Sequence, residues 1–146
     1  MHVTAALDAP CSVPDLRRWV DDLERYPEWL GIVPRAERIP GDEVAWAVEL
    51  RATLGPLARS KRLRMVRTVD EPHHLRFERA ELDAKEHSEW VLDVHLQALD
   101  SGTRLTMTLH YGGAFGGSIL ERLLGDEIEA SKPRLLALAV ADAPPG

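Results

Sequence analysis

The residues with the clearest chemical potential are Arg79 and Glu81, two charged side chains that continue an alternating apolar strand. Leu75 and Phe77 precede them at every second position, so Arg79 is expected to face the same inner side. A guanidinium among aromatic rings is held by cation–π contact and could bind a carboxylate or enolate oxygen. Two alternatives stay open: a twist near Ala80 turns Arg79 to solvent, or Glu81 pairs with it structurally.

Glu81 is also a candidate general base. Strand matching predicts it between Leu63 and Ser88, with Lys61 facing Asp83 further out. A carboxylate on a cavity wall could have a raised pKa and accept a proton. We favour the simpler interpretation that these charges ring a solvent-exposed mouth, because charged side chains prefer the surface.

Four potential metal ligands share one face of a later strand: His87, Glu89, Asp93 and His95. Because that face is opposite the one carrying Trp90, we expect it to be exposed to solvent. No supporting shell of hydrogen-bonding groups is recognisable around these residues. The sequence therefore favours no metal and no other cofactor.

Two further patterns have simple explanations. A basic run alternates along one strand and so divides between its faces, as expected of a solvated edge; it comprises Arg59, Lys61, Arg62, Arg64 and Arg67. With a net charge of −6, nucleic acid is not an expected partner. The glycine-rich segment 112–117 departs from the dinucleotide-binding spacing, and we interpret it as a flexible junction that could act as a gate.

The elements that position these residues begin with a strand and two short helices. Alternation of small apolar residues up to Leu7 predicts the strand, and Ser12 is a suitable N-cap for the helix that follows. Pro27 breaks the helical pattern and separates a second short helix. Tyr26 and Trp29 in that region are expected to pack the helix against the sheet, although the Tyr26 hydroxyl could reach a pocket.

After Val33 the period changes to two, and turn residues divide the chain into about five strands of an antiparallel meander. Matching their inward positions predicts one row across the inner face; its members are Trp46, Met65, Arg79, Trp90 and Tyr111. A long helix with an apolar stripe follows from about Ala114, and Pro133 should bend it over the curved sheet.

This order of elements resembles the START-like helix-grip superfamily, also called SRPBCC, and within it the polyketide cyclase/dehydrase and lipid-transport group. The resemblance covers nearly the whole chain. It rests on the element order, on Tyr26-Pro27-Glu28-Trp29-Leu30, and on the Gly55-Pro56-Leu57 turn with the basic strand up to Arg67. It implies an α+β fold in which a curved antiparallel sheet wraps around a long C-terminal helix, enclosing a cavity for a hydrophobic small molecule.

Length and composition agree with one domain, which we place at 1–142, followed by a disordered tail at 143–146. The single Cys11 cannot form an internal disulfide, and no secretion signal is recognisable, so a cytoplasmic location is expected. The longest apolar run, 135–141, is too short for stable membrane insertion. The oligomeric state stays open.

Three functions remain possible, and whether the chain is an enzyme is left open. The favoured one is binding of a lipid or polyketide-like molecule in the cavity. The expected ligand-binding side chains are Trp46, Val48, Met65, Phe77, Arg79, Trp90, Leu92, Met107, Tyr111, Phe115 and Ile119. The alternatives are an aromatase/cyclase-type enzyme, which needs convergent polar groups inside the cavity, and an interaction protein whose pocket is filled by its own side chains.

Overall fold

The structure is a computed structural model of the 146-residue chain. It describes residues 2–54, 57–112 and 117–141, and within them all side chains except those of 53, 54, 57–59 and 117–120. The predicted tail at 143–146 and most of the glycine-rich segment, including Phe115, lie outside the described residues.

The first part of the chain forms the predicted strand and two short helices. Strand β1 spans His2–Ala9, α1 spans Val13–Arg17, and a 3₁₀ helix spans Leu23–Glu28. Ser12 caps α1 as predicted, because its Oγ accepts a 3.3 Å hydrogen bond from the backbone N–H of Asp15. The predicted separation of the two helices at Pro27 is wrong, because the break lies between Arg17 and Leu23. Pro27 lies inside the 3₁₀ helix, where its missing N–H is tolerated in a short element.

One antiparallel sheet holds all seven described strands, in the order β1-β7-β6-β5-β4-β3-β2. The remaining strands are β2 (Arg35–Ile39), β3 (Ala45–Leu54), β4 (Leu57–Glu71), β5 (His74–Arg79), β6 (Trp90–Leu99) and β7 (Gly102–Tyr111). The predicted meander is therefore confirmed from β2 to β7, and β1 closes the order by pairing with β7.

Strand β2 corrects the predicted count of about five strands after the helices, because the structure has six. This strand is five residues long, and Ala36 is its one buried residue. Two arginines and a glutamate fill most of its other positions, so its alternation is too weak to identify a strand.

The predicted row across the inner face is confirmed by the strand register. Trp46 pairs with Met65, Met65 with Arg79, and Trp90 with Tyr111. Between β5 and β6, Glu78 pairs with Val91. Arg79 and Trp90, the adjacent positions on these two strands, therefore join the two halves of the row. Turn positions and the period of two were sufficient to fix this register.

Strand β4 has fifteen residues and an irregularity in its pairing with β5 between Arg67 and Val69. An extra residue on one strand increases local twist and bends the sheet. The irregularity lies between two neighbouring strands close to the centre of the seven-stranded order.

Helix α2 spans Gly117–Ala141 and includes Pro133. Its buried side chains are Leu124, Ser131, Leu135 and Ala139, which recur at helical spacing along one face. The three apolar ones, Leu124, Leu135 and Ala139, join the core formed by the inner face of the sheet and the two short helices. No helix in the described ranges is long and apolar enough to cross a membrane.

The turn between β6 and β7 depends on Gly102. Its φ is +152°, a conformation that favours glycine. A Cβ at this position would overlap the backbone carbonyl of Ala9, in the strand next to β7. Beside it, the buried Thr103 Oγ1 donates a 2.8 Å hydrogen bond to the carbonyl of Cys11, which ties the segment before α1 to the sheet.

Candidate functional site

An apolar cavity lies between the inner face of the sheet, the 3₁₀ helix and α2. Its volume, counted as the space open to the centre of a water molecule, is about 150 Å³. Side chains from β1, β3, β4, β6, β7, both of these helices and the loop after the 3₁₀ helix line it. The lining includes Val3, Leu7, Leu23, Tyr26, Leu30, Ile32, Val48, Leu63, Met65, Trp90, Leu92, Met107, Leu109, Leu124, Ile128 and Leu135.

Most polar groups on this lining are bound to the protein itself. Tyr26 Oη donates to the carbonyl of Val20 at 2.8 Å, and Trp29 Nε1 to that of Trp19 at 3.1 Å. On α2, Ser131 Oγ donates to the carbonyl of Ile128 at 2.7 Å. Lys132 Nζ lies 2.7 Å from Glu129 Oε1. The polar atoms of these four side chains are therefore available to a ligand only if an existing hydrogen bond or ion pair breaks.

Trp90 is different. Its side chain is 4 % exposed and lines the cavity. Its indole Nε1 is buried and, among the described residues, has no hydrogen-bond acceptor. A buried donor without an acceptor costs free energy that a suitable ligand atom would recover.

The Trp90 ring has two close neighbours, Tyr111 and Lys61. It stacks on Tyr111 with a centroid distance of 5.5 Å and an interplanar angle of 27°. Lys61 Nζ lies 5.9 Å from the ring centroid, within the range of cation–π attraction. Burial, followed by the charge of Arg79, lowers the pKa of Lys61. Burial and the nearby Glu121 raise the pKa of Tyr111. The indole is thus held in one orientation beside the cavity.

The predicted ligand-binding residues divide into three sets. Val48, Met65, Trp90, Leu92 and Met107 line the cavity. Trp46, Phe77, Arg79 and Tyr111 lie on the inner face without lining it. Phe115 and the side chain of Ile119 are outside the described residues.

Trp46 and Phe77 fill their part of the inner face themselves. Both are fully buried and meet edge to face, with ring centroids 5.5 Å apart. Tyr26 adds a third ring 6.5 Å from Phe77, and burial raises its pKa well above the ordinary value. This packing agrees with the interpretation that Tyr26 joins the helix to the sheet.

Arg79 lies in a polar cluster that we call the Arg79 cluster, formed with Glu81, His87 and Ser88. Its side chain is 9 % exposed, so it does not turn to solvent. Its Nε donates to Glu81 Oε1 at 3.0 Å and its Nη1 to Ser88 Oγ at 3.1 Å. Its Nη2 lies 3.3 Å from His87 Nδ1. The structural ion pair, one of the alternatives left open by the sequence, is the arrangement observed.

Glu81 has a structural role in the same cluster. Strand β5 ends at Arg79, yet Glu81 Oε1 accepts a 2.9 Å hydrogen bond from the backbone N–H of Arg64. The carboxylate therefore replaces a strand carbonyl and extends the ladder between β4 and β5 beyond the end of the strand. Glu81 is not among the cavity-lining residues.

The predicted opposition of Lys61 and Asp83 is wrong. Lys61 Nζ instead lies 3.2 Å from Ser88 Oγ, and Asp83 Oδ1 lies 2.7 Å from His87 Nε2. That contact with His87 lowers the pKa of Asp83. The reason is that the chain leaves the sheet after Arg79 and bends in the loop before β6, so matching by strand parity fails there.

On the face of the sheet opposite the cavity, the titratable side chains that lie together are not the set that the sequence indicated. His87 lies in the Arg79 cluster, while Asp93 and His95 lie on β6 next to His74 of β5. The pattern of a single strand does not include His74, which lies on the neighbouring strand β5. Strand register was the signal that could have found it, since the pairing of Leu75 with Val94 places His74 opposite His95.

The sequence profile of the family described as polyketide cyclase/dehydrase and lipid transport matches residues 1–139. The chain belongs to this family. No curated protein sequence matches the chain.

Solved structures of similar fold agree with membership of the polyketide cyclase/dehydrase and lipid transport family. A protein from Thermus thermophilus has a TM-score of 0.75 at 16% identity, covering 99% of this chain and 100% of its own. The ZhuI aromatase/cyclase from Streptomyces sp. R1128 has a TM-score of 0.72 at 13% identity, covering 99% of both chains. A START superfamily protein from Mycobacterium smegmatis has a TM-score of 0.72 at 13% identity, covering 96% and 97%. The family member described here therefore has the helix-grip, START-like fold.

Proposed function

We propose that the cavity binds a small hydrophobic molecule, of lipid or polyketide-like character, that carries one hydrogen-bond acceptor. The observation that carries this proposal is the apolar cavity with Trp90 on its lining, because the buried Nε1 of this side chain has no acceptor in the described residues. An acceptor oxygen of the ligand would satisfy it, while the rest of the molecule contacts aliphatic side chains.

The size and character of the cavity support a compact ligand. A cavity of about 150 Å³ lined mainly by aliphatic and aromatic side chains has room for a molecule about the size of one aromatic ring. Burying the apolar surface of such a molecule contributes about 25 cal/mol per Å². One hydrogen bond then orients the ligand within an otherwise featureless wall.

Binding is better supported than catalysis. An aromatase/cyclase-type enzyme needs groups that move protons inside the cavity. The ionisable groups on the described lining are Tyr26 and Lys132, and both are bound to other parts of the protein. Arg79 and Glu81 satisfy each other away from the lining. The third hypothesis is an interaction protein whose pocket is filled by its own side chains. It agrees with the packing of Trp46 and Phe77 but does not explain the cavity beside Trp90.

The test compares two ligands of nearly equal shape. Acetophenone carries a carbonyl acceptor and ethylbenzene does not, and titration calorimetry measures the affinity of each. Acetophenone is better hydrated than ethylbenzene, and this difference by itself changes the ratio of their affinities. Beyond that ratio, we expect acetophenone to bind roughly two- to twelvefold more tightly, the equivalent of about 0.5–1.5 kcal/mol for one hydrogen bond. Trp90→Phe should abolish that gain while ethylbenzene still binds.

Trp46→Phe is the matched control. Trp46 is also a buried tryptophan of the inner row, but its Nε1 donates to Asp22 Oδ1 and its side chain does not line the cavity. The preference for acetophenone should survive this substitution. Binding of neither compound, or an equal preference in wild type and Trp90→Phe, would refute the proposal.

A further inference from the structure

Two histidines and an aspartate form a compact group on the face of the sheet opposite the cavity. His74 of β5 pairs directly with His95 of β6, and Arg76 pairs with Asp93. Asp93 lies two positions before His95, so both side chains emerge on the same side of β6. The three residues bring one potential ligand atom each within 4.8 Å of the others.

One of the contacts in the group is already short, while another has to change on metal binding. The two imidazole rings are stacked, with centroids 4.3 Å apart and an interplanar angle of 9°. Because the nitrogen lone pairs lie in the ring planes, His95 must turn out of this stack before both rings can bind one ion. His74 Nε2 lies 2.8 Å from Asp93 Oδ1. Asp93 is 14 % exposed and His74 is 22 % exposed, so the antiparallel strands and neighbouring side chains restrict both. His95 is exposed and can rotate toward them.

We propose that His74, Asp93 and His95 bind a divalent transition-metal ion, with Zn²⁺ as the best match. Two imidazole nitrogens and one carboxylate oxygen are a ligand set that Zn²⁺ uses, leaving a fourth position for water. Ligand atoms around a tetrahedral zinc ion lie roughly 3.3 Å apart, as follows from metal–ligand bonds of about 2.0–2.2 Å. The present separations reach that arrangement by rotation of the exposed His95.

Binding requires one exchange at the short contact between His74 and Asp93. Neutral His74 must change tautomer: the proton between Nε2 and Oδ1 is released to solvent while Nδ1 takes one up, and the metal ion then binds the free lone pair of Nε2. Asp93 is positioned for this role because its Oδ1 already lies 2.8 Å from His74 Nε2 and 2.9 Å from Arg76 Nε.

Arg76 supports the carboxylate from the neighbouring strand. Its Nε donates to Asp93 Oδ1 at 2.9 Å, which orients the ligand in the manner of outer-shell hydrogen bonds at metal sites. Its positive charge also opposes a cation, so the expected affinity is moderate. The guanidinium is 40 % exposed and can turn away on metal binding.

The chain contains a matched control for this site. His2 and His110 also form a directly paired, cross-strand histidine pair, between β1 and β7, with ring centroids 5.7 Å apart and tilted by 42°. The residue two positions before His110 is Thr108, so this pair lacks the carboxylate that Asp93 supplies to the other. Comparing the two histidine pairs distinguishes metal binding by three specific ligands from the general affinity of paired imidazoles for metal ions.

The experiment is calorimetric titration of tag-free, chelator-treated protein with ZnCl₂ at a pH where free imidazole is neutral. We expect saturable binding of one ion at sub-millimolar concentration. His74→Gln, Asp93→Asn and His95→Gln should each weaken it by at least about tenfold, since each removes one of three ligands. His110→Gln should leave it unchanged. Circular dichroism without metal verifies that every variant is folded.

Three results would overturn the proposal. They are the absence of saturable binding, affinity that persists in His74→Gln and His95→Gln, or loss of the strongest site in His110→Gln. A further measurement keeps the test independent of heat signals: Zn²⁺ should raise the melting temperature of wild type and His110→Gln but not of Asp93→Asn, because an ion that binds the folded chain stabilises it.

Discussion

The indole Nε1 of Trp46 donates a 3.0 Å hydrogen bond to Asp22 Oδ1, and the same oxygen accepts one from the backbone N–H of Glu24 at 3.0 Å. One carboxylate oxygen therefore caps the 3₁₀ helix and also fixes that helix to the second strand from the edge of the sheet. The helix carries Tyr26, which lines the cavity. The position of that wall is thus linked to Asp22.

Removing this carboxylate should destabilise the protein. We expect Asp22→Ala to lower the free energy of unfolding by about 1.5–4 kcal/mol, because it removes an N-cap and leaves the Trp46 donor without its acceptor. Asp22→Asn keeps an oxygen that can accept both hydrogen bonds and should lose less than half as much. Urea unfolding of both variants provides the measurement, and equal losses would contradict the shared-acceptor role.

The Arg79 cluster should contribute to stability and not to ligand affinity. We expect Arg79→Met to lower the free energy of unfolding by about 2–4 kcal/mol, since it leaves the partly buried Glu81 carboxylate without its cation. Adding Glu81→Gln to it should cost less than the sum of the two single changes. A double-mutant cycle from urea unfolding measures that coupling. A change in acetophenone affinity without a change in stability would instead support Arg79 as the ligand anchor predicted from the sequence.

Asp93 should give the protein an acid-sensitive component of stability. Its pKa in the folded chain is below the ordinary value of 3.8, so the carboxylate stabilises the folded state above that value. The contribution is lost as the pH falls from about 4 through the lower folded pKa. We expect the stabilities of wild type and Asp93→Asn to converge as the pH is lowered from 5 to about 2 in metal-free solution. The free energy of unfolding of Glu86→Gln, a change at an exposed position, should change with pH in the same way as that of wild type. If the difference in stability between wild type and Asp93→Asn stayed constant over this pH range, Asp93 would not supply the acid-sensitive component.

Alanine substitutions at two glycines distinguish the cost of backbone strain from the cost of steric overlap. Gly41 and Gly102 have φ values of +149° and +152°, but a Cβ meets nothing within 4 Å at Gly41 and the Ala9 carbonyl at Gly102. Gly41→Ala should therefore cost about 1–3 kcal/mol from strain alone. Gly102→Ala should cost clearly more, because β1 must also move away. Thermal unfolding of both variants tests this, and similar losses would show that β1 adjusts freely.

The sequence predicted the order of elements and the inner row because both depend on local signals. Alternation and turn residues act within a few residues, and turns between paired strands carry strand parity from Trp46 to Arg79 and again from Trp90 to Tyr111. The weakly patterned β2 was missed for the same reason, since Ala36 alone faces the core.

The site was less predictable because it depends on contacts beyond the strands. Whether Arg79 meets a ligand or Glu81 is decided by the bend after β5, which parity does not describe. Whether an inner face encloses a void depends on side-chain volumes, and here Trp46 and Phe77 close one part while Trp90 borders an opening in another. Loop residues such as Leu30 and Ile32 complete the cavity wall, and no periodic pattern marks them.

The pairing of β1 with β7 has a consequence for how the chain reaches this structure. His2 lies opposite His110, and Thr4 bonds to Thr108 across 104 positions of sequence. The first described strand therefore has no neighbour in the sheet until the last one has been synthesised. Because contacts of such long sequence separation form slowly, we expect the hairpins from β2 to β7 to assemble first during translation. The wall that β1 contributes to the cavity would then be the last to close.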